Sequence, residues 1–406
     1  MANVYGNGTT TASAGANTVT HYYDKAGVKA ANETNIYVQM ADRKSMPLKM
    51  GKTFKISKFL HIYDRAEDHA DFGKFGYLSS RGLDDVANEL AATNGTGASL
   101  LEGSGATNER GISKITMEAS FSRYGEMISY TDEVDIWSED YIQVRYREEL
   151  GRLANMRMED LVQKDMLSTP NKMYANDELL ISDLGTGILA DDTNASSFKT
   201  SFDLIRKAAK KLTRNRAEKT TSIVDGSTKI DTKTVNKAFY GIVGPEIKYD
   251  LESLTRGAGS EAEFAFVPVY KYAAAGKLAN GEVGQMHDVR FIESETALVR
   301  KAAGAYVPQN YVGALSSSGA ATDNTDATET NRDKFDVFPI LFPTKGSFAT
   351  IGLKGHGKIK FGSQDPSKLE NANPYGTKGF FSYSFFYSGI ILNETTLLEV
   401  DVLATA

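Results

Sequence analysis

One unbroken amphipathic run, Glu139 to Leu167, constrains the fold of this chain more than any other segment. Its apolar residues Ile142, Tyr146, Leu150, Leu153, Ala154, Met158 and Leu161 recur at helical spacing and form one broad stripe. Arg145, Glu148, Arg152, Asn155, Glu159 and Gln163 recur on the opposite side and are expected to face water. Ser138 is placed to cap the helix, with Glu139 and Asp140 in a first turn that favours negative charge. Glu148–Arg152 and Asp160–Lys164 are spaced to pair across one turn. Pro170 closes the segment. Such a helix spans roughly 43 Å at the α-helical rise.

The sequence before this helix is of a different kind. Residues 1 to about 35 include a run from Thr9 to Gly15 too small and polar to offset its ordering entropy. They read either as a frayed terminus or as a flexible arm. Thr53 to Tyr63 and Ile112 to Val134 carry strand patterning, with Ile115, Met117, Ala119 and Phe121 on one face. The two are expected to pair as a long hairpin, with residues near 64–110 at its tip and a short helix at Leu83 to Ala92. A ribbon of that length has little core beneath it, so it makes physical sense lying on another subunit.

After Pro170 helices and strands mix. Phe202 to Arg216 reads as a second helix, with Phe202, Ile205, Ala209 and Leu212 buried. Its other face carries Arg206, Lys207, Lys210, Lys211 and Arg214. The plainer reading of that face is a solvated charged surface; the alternative is weak contact with nucleic acid. Phe239–Val243, Phe264–Tyr270 and Val289–Ile292 are expected as strands, and Ile247–Leu254 as a short helix after Pro245. Gly313 to Arg332 has almost no large apolar residue and reads as an exposed loop. Phe335–Leu341, Phe348–Leu353, Lys358–Phe361, Phe380–Leu392 and Leu397–Leu403 complete the strands of an α+β chain.

Composition narrows the function. There is no Cys, which excludes disulfides, Cys-ligated metals and thiol nucleophiles. Net charge is −6, unlike a dedicated nucleic-acid binder. The twenty Tyr and twenty Phe favour strands and contact surfaces. Met1 to Thr20 shows no basic and apolar signal pattern, and Phe380 to Leu392 is too short and serine-broken to cross a membrane. Five N-x-Ser/Thr sequons, at Asn7, Asn32, Asn94, Asn194 and Asn393, are expected by chance in a chain this rich in Thr and Asn.

No motif carries chemistry. His61, Asp64, Glu67, Asp68, His69 and Asp71 lie close in sequence but lack a common helical face for a metal. Gly185, Gly187 and Ala190 mimic a dinucleotide fingerprint, yet Asp191, Asp192, Thr193 and Asn194 follow as a turn instead of a helix. Gly352 to Gly362 lacks the Lys-Ser or Lys-Thr of a phosphate loop. The five His (His21, His61, His69, His287 and His356) sit in unconnected contexts. No catalytic, cofactor-binding or metal-ligating residue is assigned, and the chain reads as a non-enzyme.

Several stretches together resemble a known family. They are Pro47 to Phe59 (PLKMGKTFKISKF), Leu100 to Asp135 (LLEGSGATNERGISKITMEASFSRYGEMISYTDEVD), Ile142 to Leu167 (IQVRYREELGRLANMRMEDLVQKDML), Gly241 to Leu251 (GIVGPEIKYDL) and Gly281 to Ser294 (GEVGQMHDVRFIES). In this order they resemble the major capsid proteins of short-tailed phages of the type carrying a giant virion RNA polymerase. The resemblance implies the tailed-phage and herpesvirus capsid (Johnson) fold, with a 1–50 arm, a 51–125 extended loop and a 126–199 peripheral domain bearing the spine helix. A 200–345 axial domain and 346–406 strands returning to the peripheral domain would complete it. It further implies self-assembly as pentamers and hexamers into an icosahedral shell around double-stranded DNA. Portal and scaffold or decoration proteins would be partners, with non-specific contact to packaged DNA and no membrane. Assembly in the bacterial host cytoplasm and residence in the virion capsid follow. The competing expectations are a secreted surface-layer or adhesin protein and a cargo-enclosing nanocompartment of the same fold.

Overall fold

The computed structural model describes residues 35–59, 114–137, 142–223, 234–256, 263–272, 278–319, 324, 326, 328–354, 359–369 and 373–406. In chain order the helices are α1 (Tyr37–Met40), α2 (Asp132–Trp137), α3 (Ile142–Met166), α4 (Phe202–Arg214) and α5 (Pro245–Glu252). The strands before α4 are β1 (Asp42–Met46), β2 (Thr53–Phe59), β3 (Lys114–Ser120), β4 (Ser122–Thr131) and β5 (Lys172–Tyr174). Those between α4 and residue 320 are β6 (Phe239–Val243), β7 (Thr255–Arg256), β8 (Glu263–Phe264), β9 (Val267–Pro268), β10 (Glu282–Met286), β11 (Val289–Glu293) and β12 (Ser317–Ser318). The last are β13 (Lys334–Phe335), β14 (Phe338–Phe342), β15 (Phe348–Leu353), β16 (Lys360–Gln364), β17 (Lys378–Tyr387), β18 (Gly389–Ile391) and β19 (Leu398–Val402).

A seven-stranded mixed sheet, ordered β5-β19-β14-β6-β11-β10-β9, forms the centre. Its inner strands are continuous apolar runs because both faces are covered: all five residues of β14 are buried. One face carries Phe239, Val243, Val289, Phe291, Ile340, Phe342, Leu398 and Val400, packed with Ile205 and Leu212 of α4 and Ile247 and Leu251 of α5. The other carries Ile242, Ile292 and Leu341, in one core with Leu150, Ala154, Val162 and Met166 of α3.

A second sheet, β16-β17-β4, lies on α3. Alternate residues of β17, namely Phe381, Tyr383, Phe385 and Tyr387, are buried in the core that α3 shares. Phe381 stacks on Tyr130 of β4 at 5.4 Å between ring centroids. Burying a side chain of this size contributes about 1.5–3 kcal/mol, so this row fixes the sheet to the helix. A third sheet, β1-β15-β18, builds a smaller core from Met46, Ala349, Ile351 and Ile390.

Several expectations are corrected. The segment 112–134 is not one strand: β3 ends at Ser120, β4 begins at Ser122, and residues from Asp132 turn helical. Only β3 pairs with β2; β4 pairs along its whole length with β17, Ser122 opposite Tyr387. Glu159 and Gln163, expected in water, are each 1% exposed. Arg152 pairs with Glu149 at 3.5 Å, and Glu148 is not its partner. The described part of α3 begins at Ile142, so the Ser138 cap lies outside the described residues, as do the 64–110 tip and the Leu83–Ala92 helix. Phe264–Tyr270 is broken into two short strands and a 3-10 turn. Within Gly313–Arg332, Leu315 is buried and β12 pairs with β13. The helix α4 stops at Arg214, and its Ser201 cap accepts the Leu204 N–H at 3.2 Å.

Candidate assembly surface

The ribbon is built by alternation. In β2 and β3 the register runs from Thr53 opposite Ser120 to Phe59 opposite Lys114. Phe54, Ile56, Met117 and Ala119 point to one side and join the small core of Met46, Phe121, Ala349, Ile351 and Ile390. Lys55 and Glu118, directly opposite on the other side, form an ion pair. Lys58 donates to Asn393 Oδ1 at 2.7 Å, and burial lowers its pKa. The base of the ribbon is therefore seated on its own subunit. Phe59, at the end of the described part of β2, is 63% exposed.

A second apolar group sits where β4 passes into α2. Ile136 and Trp137 are 68% and 67% exposed. The Asp132 N–H donates to Thr377 O at 3.1 Å, which joins α2 to the loop between β16 and β17. That loop is held by Asn373. Its side-chain amide donates to Pro366 O and Lys378 O, and its oxygen accepts from the Thr377 and Lys378 N–H groups. So fixed, the loop presents Leu369 and Tyr375 at 69% and 87% exposure. An ordered segment that holds several large apolar side chains in water is expected of a contact surface, whereas scattered single ones need no explanation.

Two buried polar fixtures tie α3 to the rest of the chain. Both carboxylate oxygens of Glu159 are used: Oε1 accepts from the Ile36 and Tyr37 N–H groups at 2.6 and 2.7 Å, and Oε2 from Val38 at 3.2 Å. These are orphan donors at the start of α1, which a carboxylate suits in charge and geometry. Burial still pushes the Glu159 pKa up, against those three hydrogen bonds. α3 thereby grips the backbone of residues 36–38.

The second fixture lies on the α3 side of the central sheet. Glu399 and Asp401 of β19 alternate with Leu398, Val400 and Val402, so their carboxylates leave the opposite face, both 0% exposed. Arg300 reaches Asp401 at 2.9 and 3.1 Å, Glu399 at 2.5 Å and the Leu167 carbonyl at 3.2 Å. Lys172 pairs with Glu399 at 3.2 Å. Burial, then the charge of Asp401, pushes Glu399 up, while Arg300 and Lys172 oppose it. The network fastens the C-terminal end of α3 to the central sheet.

Among the described residues no group of three or more His, Asp or Glu converges as metal ligands, and no helix is long and apolar enough to cross a membrane. Of the His residues only His287 is described, in the tight turn between β10 and β11. Gly185 and Gly187 stand in turns with φ of 97° and 85°, and Gly185 faces the ring of Phe335. The roles of Glu159 and the Glu399–Asp401 pair escaped the sequence reading; carboxylates within an apolar strand such as LEVDV are the signal that could have found the second.

No protein-family model matches the chain. It is 24% identical over 400 residues to the major capsid protein of Pseudomonas phage KPP21, covering 97% of this chain and 94% of that one. Its structure is similar to the capsid of Ralstonia phage GP4, with a TM-score of 0.53, 11% identity, and coverage of 90% and 88%. The capsid structure of cyanophage P-SCSP1u matches with a TM-score of 0.49, 13% identity, and coverage of 95% and 90%. The likeness to the GP4 capsid shows the fold: this chain has the α+β fold of tailed-phage capsid proteins.

Proposed function

We propose that this capsid-fold chain is a major capsid protein, a structural subunit whose copies close into the shell of a tailed phage. The observation that carries the reading is similarity along nearly the whole of both chains to a phage major capsid protein, joined to the same fold. Ile136, Trp137, Leu369 and Tyr375, each 67% or more exposed, support it, because covering such side chains in an assembly is favourable.

In this reading residues 1–50 are an arm, 51–125 the extended loop, 126–199 the peripheral domain, 200–345 the axial domain and 346–406 strands returning to the peripheral domain. Copies meet as pentamers and hexamers, with portal and scaffold or decoration proteins as further partners and non-specific contact with packaged DNA. The chain works without catalysis. Each contact is weak, on the order of −4 kcal/mol for a millimolar pair. Many neighbours per subunit supply the avidity that holds the shell.

Expression of the chain alone or with its neighbouring genes, followed by negative-stain microscopy, tests the reading. Closed shells are expected; a compact monomer at high concentration overturns it. Deleting residues 64–110 is expected to leave a soluble subunit that forms no stable shells, and normal shells from that deletion count against an intersubunit role for the loop.

A further inference from the structure

The basic face of α4 is not a uniformly solvated surface. With the turn His287–Asp288 it lines an open groove of about 650 Å³, whose lining includes Ala209 and Thr213. Charge within it is sorted. Lys207 is committed to Asp177 at 2.6 Å and Asp203 at 3.4 Å, and Asp288 to Lys219 at 2.9 Å. Arg206, Lys210 and Arg214 line the same groove, are exposed, and hold no ion pair among the described residues. They stand at steps of four on one helix, so about 6 Å separates each from the next.

We infer that this groove seats the phosphate backbone of double-stranded DNA through Arg206, Lys210 and Arg214. The inference rests on the capsid reading and names the surface that faces the packaged genome. Over the roughly 12 Å that the three cations span, a duplex presents about seven negative charges. Its lining includes no large apolar side chain to anchor a peptide, so the groove recognises charge without sequence.

The test is a salt titration of the purified full chain, taken as unassembled subunits from size-exclusion chromatography, against a labelled duplex of about 25 base pairs, read by fluorescence anisotropy. The comparison is the Arg206→Ala, Lys210→Ala, Arg214→Ala triple variant, checked for fold by circular dichroism. Losing three phosphate contacts lowers the slope of log affinity against log salt by about 2.7. Between 50 and 200 mM salt the wild type therefore loses about 40-fold more affinity than the triple variant. An unchanged slope overturns the inference, as does tighter binding of poly-glutamate than of DNA. A single conservative variant, Lys210→Arg, keeps the slope if charge alone is read, and a lost slope there overturns it too. Shell formation is scored separately by microscopy: shells from the triple variant with the slope lost support the inference, whereas failure of the wild type to form shells strikes the capsid reading and leaves the titration to judge the groove.

Discussion

Replacing Arg300 by Met isolates the charge network that ties α3 to the central sheet. The guanidinium makes two bonds to Asp401, at 2.9 and 3.1 Å, one contact of 2.5 Å to Glu399 and one of 3.2 Å to the Leu167 carbonyl. Met fills similar volume and removes all four. Glu399 and Asp401 are fully buried, and Lys172 alone, 3.2 Å from Glu399, would then face both carboxylates. Breaking a buried pair on one side costs about 3–5 kcal/mol, to be read as the shift in urea unfolding free energy at pH 7. The pH dependence carries a sign. Burial holds the folded pKa of both carboxyls above the ordinary carboxylate values. The native state therefore binds protons that the unfolded chain has released, and stability falls as pH rises through the raised values. Without Arg300 that fall steepens, so the variant recovers much of its loss when the pH is lowered toward 5. Adding Glu399→Gln and Asp401→Asn to Arg300→Met removes the buried charges and flattens the profile. An Arg300→Met protein within about 1 kcal/mol of wild type, with an unchanged pH slope, refutes the reasoning.

Three further outcomes are expected. Glu159→Ala strips the acceptor from the Ile36, Tyr37 and Val38 N–H groups; at about 1.5–3 kcal/mol per charged hydrogen bond, their hydrogen exchange accelerates at least tenfold by mass spectrometry, and wild-type protection there contradicts the grip. Ile136→Ser with Trp137→Ser removes exposed apolar area, so thermal unfolding of the subunit stays within a degree or two on the order of a surface change, while shells seen by microscopy become sparse; unaffected shells remove that patch from the interface. Gly185→Ala places a Cβ 2.5 Å from the Phe335 ring in a backbone of φ 97°, which lowers stability by about 2 kcal/mol or more; a neutral result in calorimetry shows that the turn relaxes freely.

Periodicity carried much of the fold. The stripe of α3, the amphipathic α4 and the buried runs Phe239–Val243, Phe338–Phe342 and Leu398–Val402 depend on local pattern, and they stand close to where that pattern put them. Beyond the β2–β3 pairing, long-range pairing was not legible. β4 follows β3 after one residue and looked like its continuation, yet its partner β17 lies some 250 positions away in sequence. Glu159 fell on the wrong face because its donors are three backbone N–H groups of a distant segment, invisible to side-chain patterning. β10, with Gly284 and Gln285 at its middle, has too little apolar character to announce itself and is carried by its neighbours β11 and β9. The ribbon was legible as paired strands, while the exposure of Leu369 and Tyr375 gained meaning only once Asn373 was seen to hold their loop in place.

Phe121 stands alone between β3 and β4, 5% exposed, with its N–H donating to Lys52 O at 3.2 Å. One residue is too short to absorb rotation as slack. The ribbon and the β16-β17-β4 sheet are therefore joined through a single residue clamped in a core. A load applied to β2–β3 from outside reaches β17 as shear along ten paired positions, and the aromatic row on α3 is what resists it.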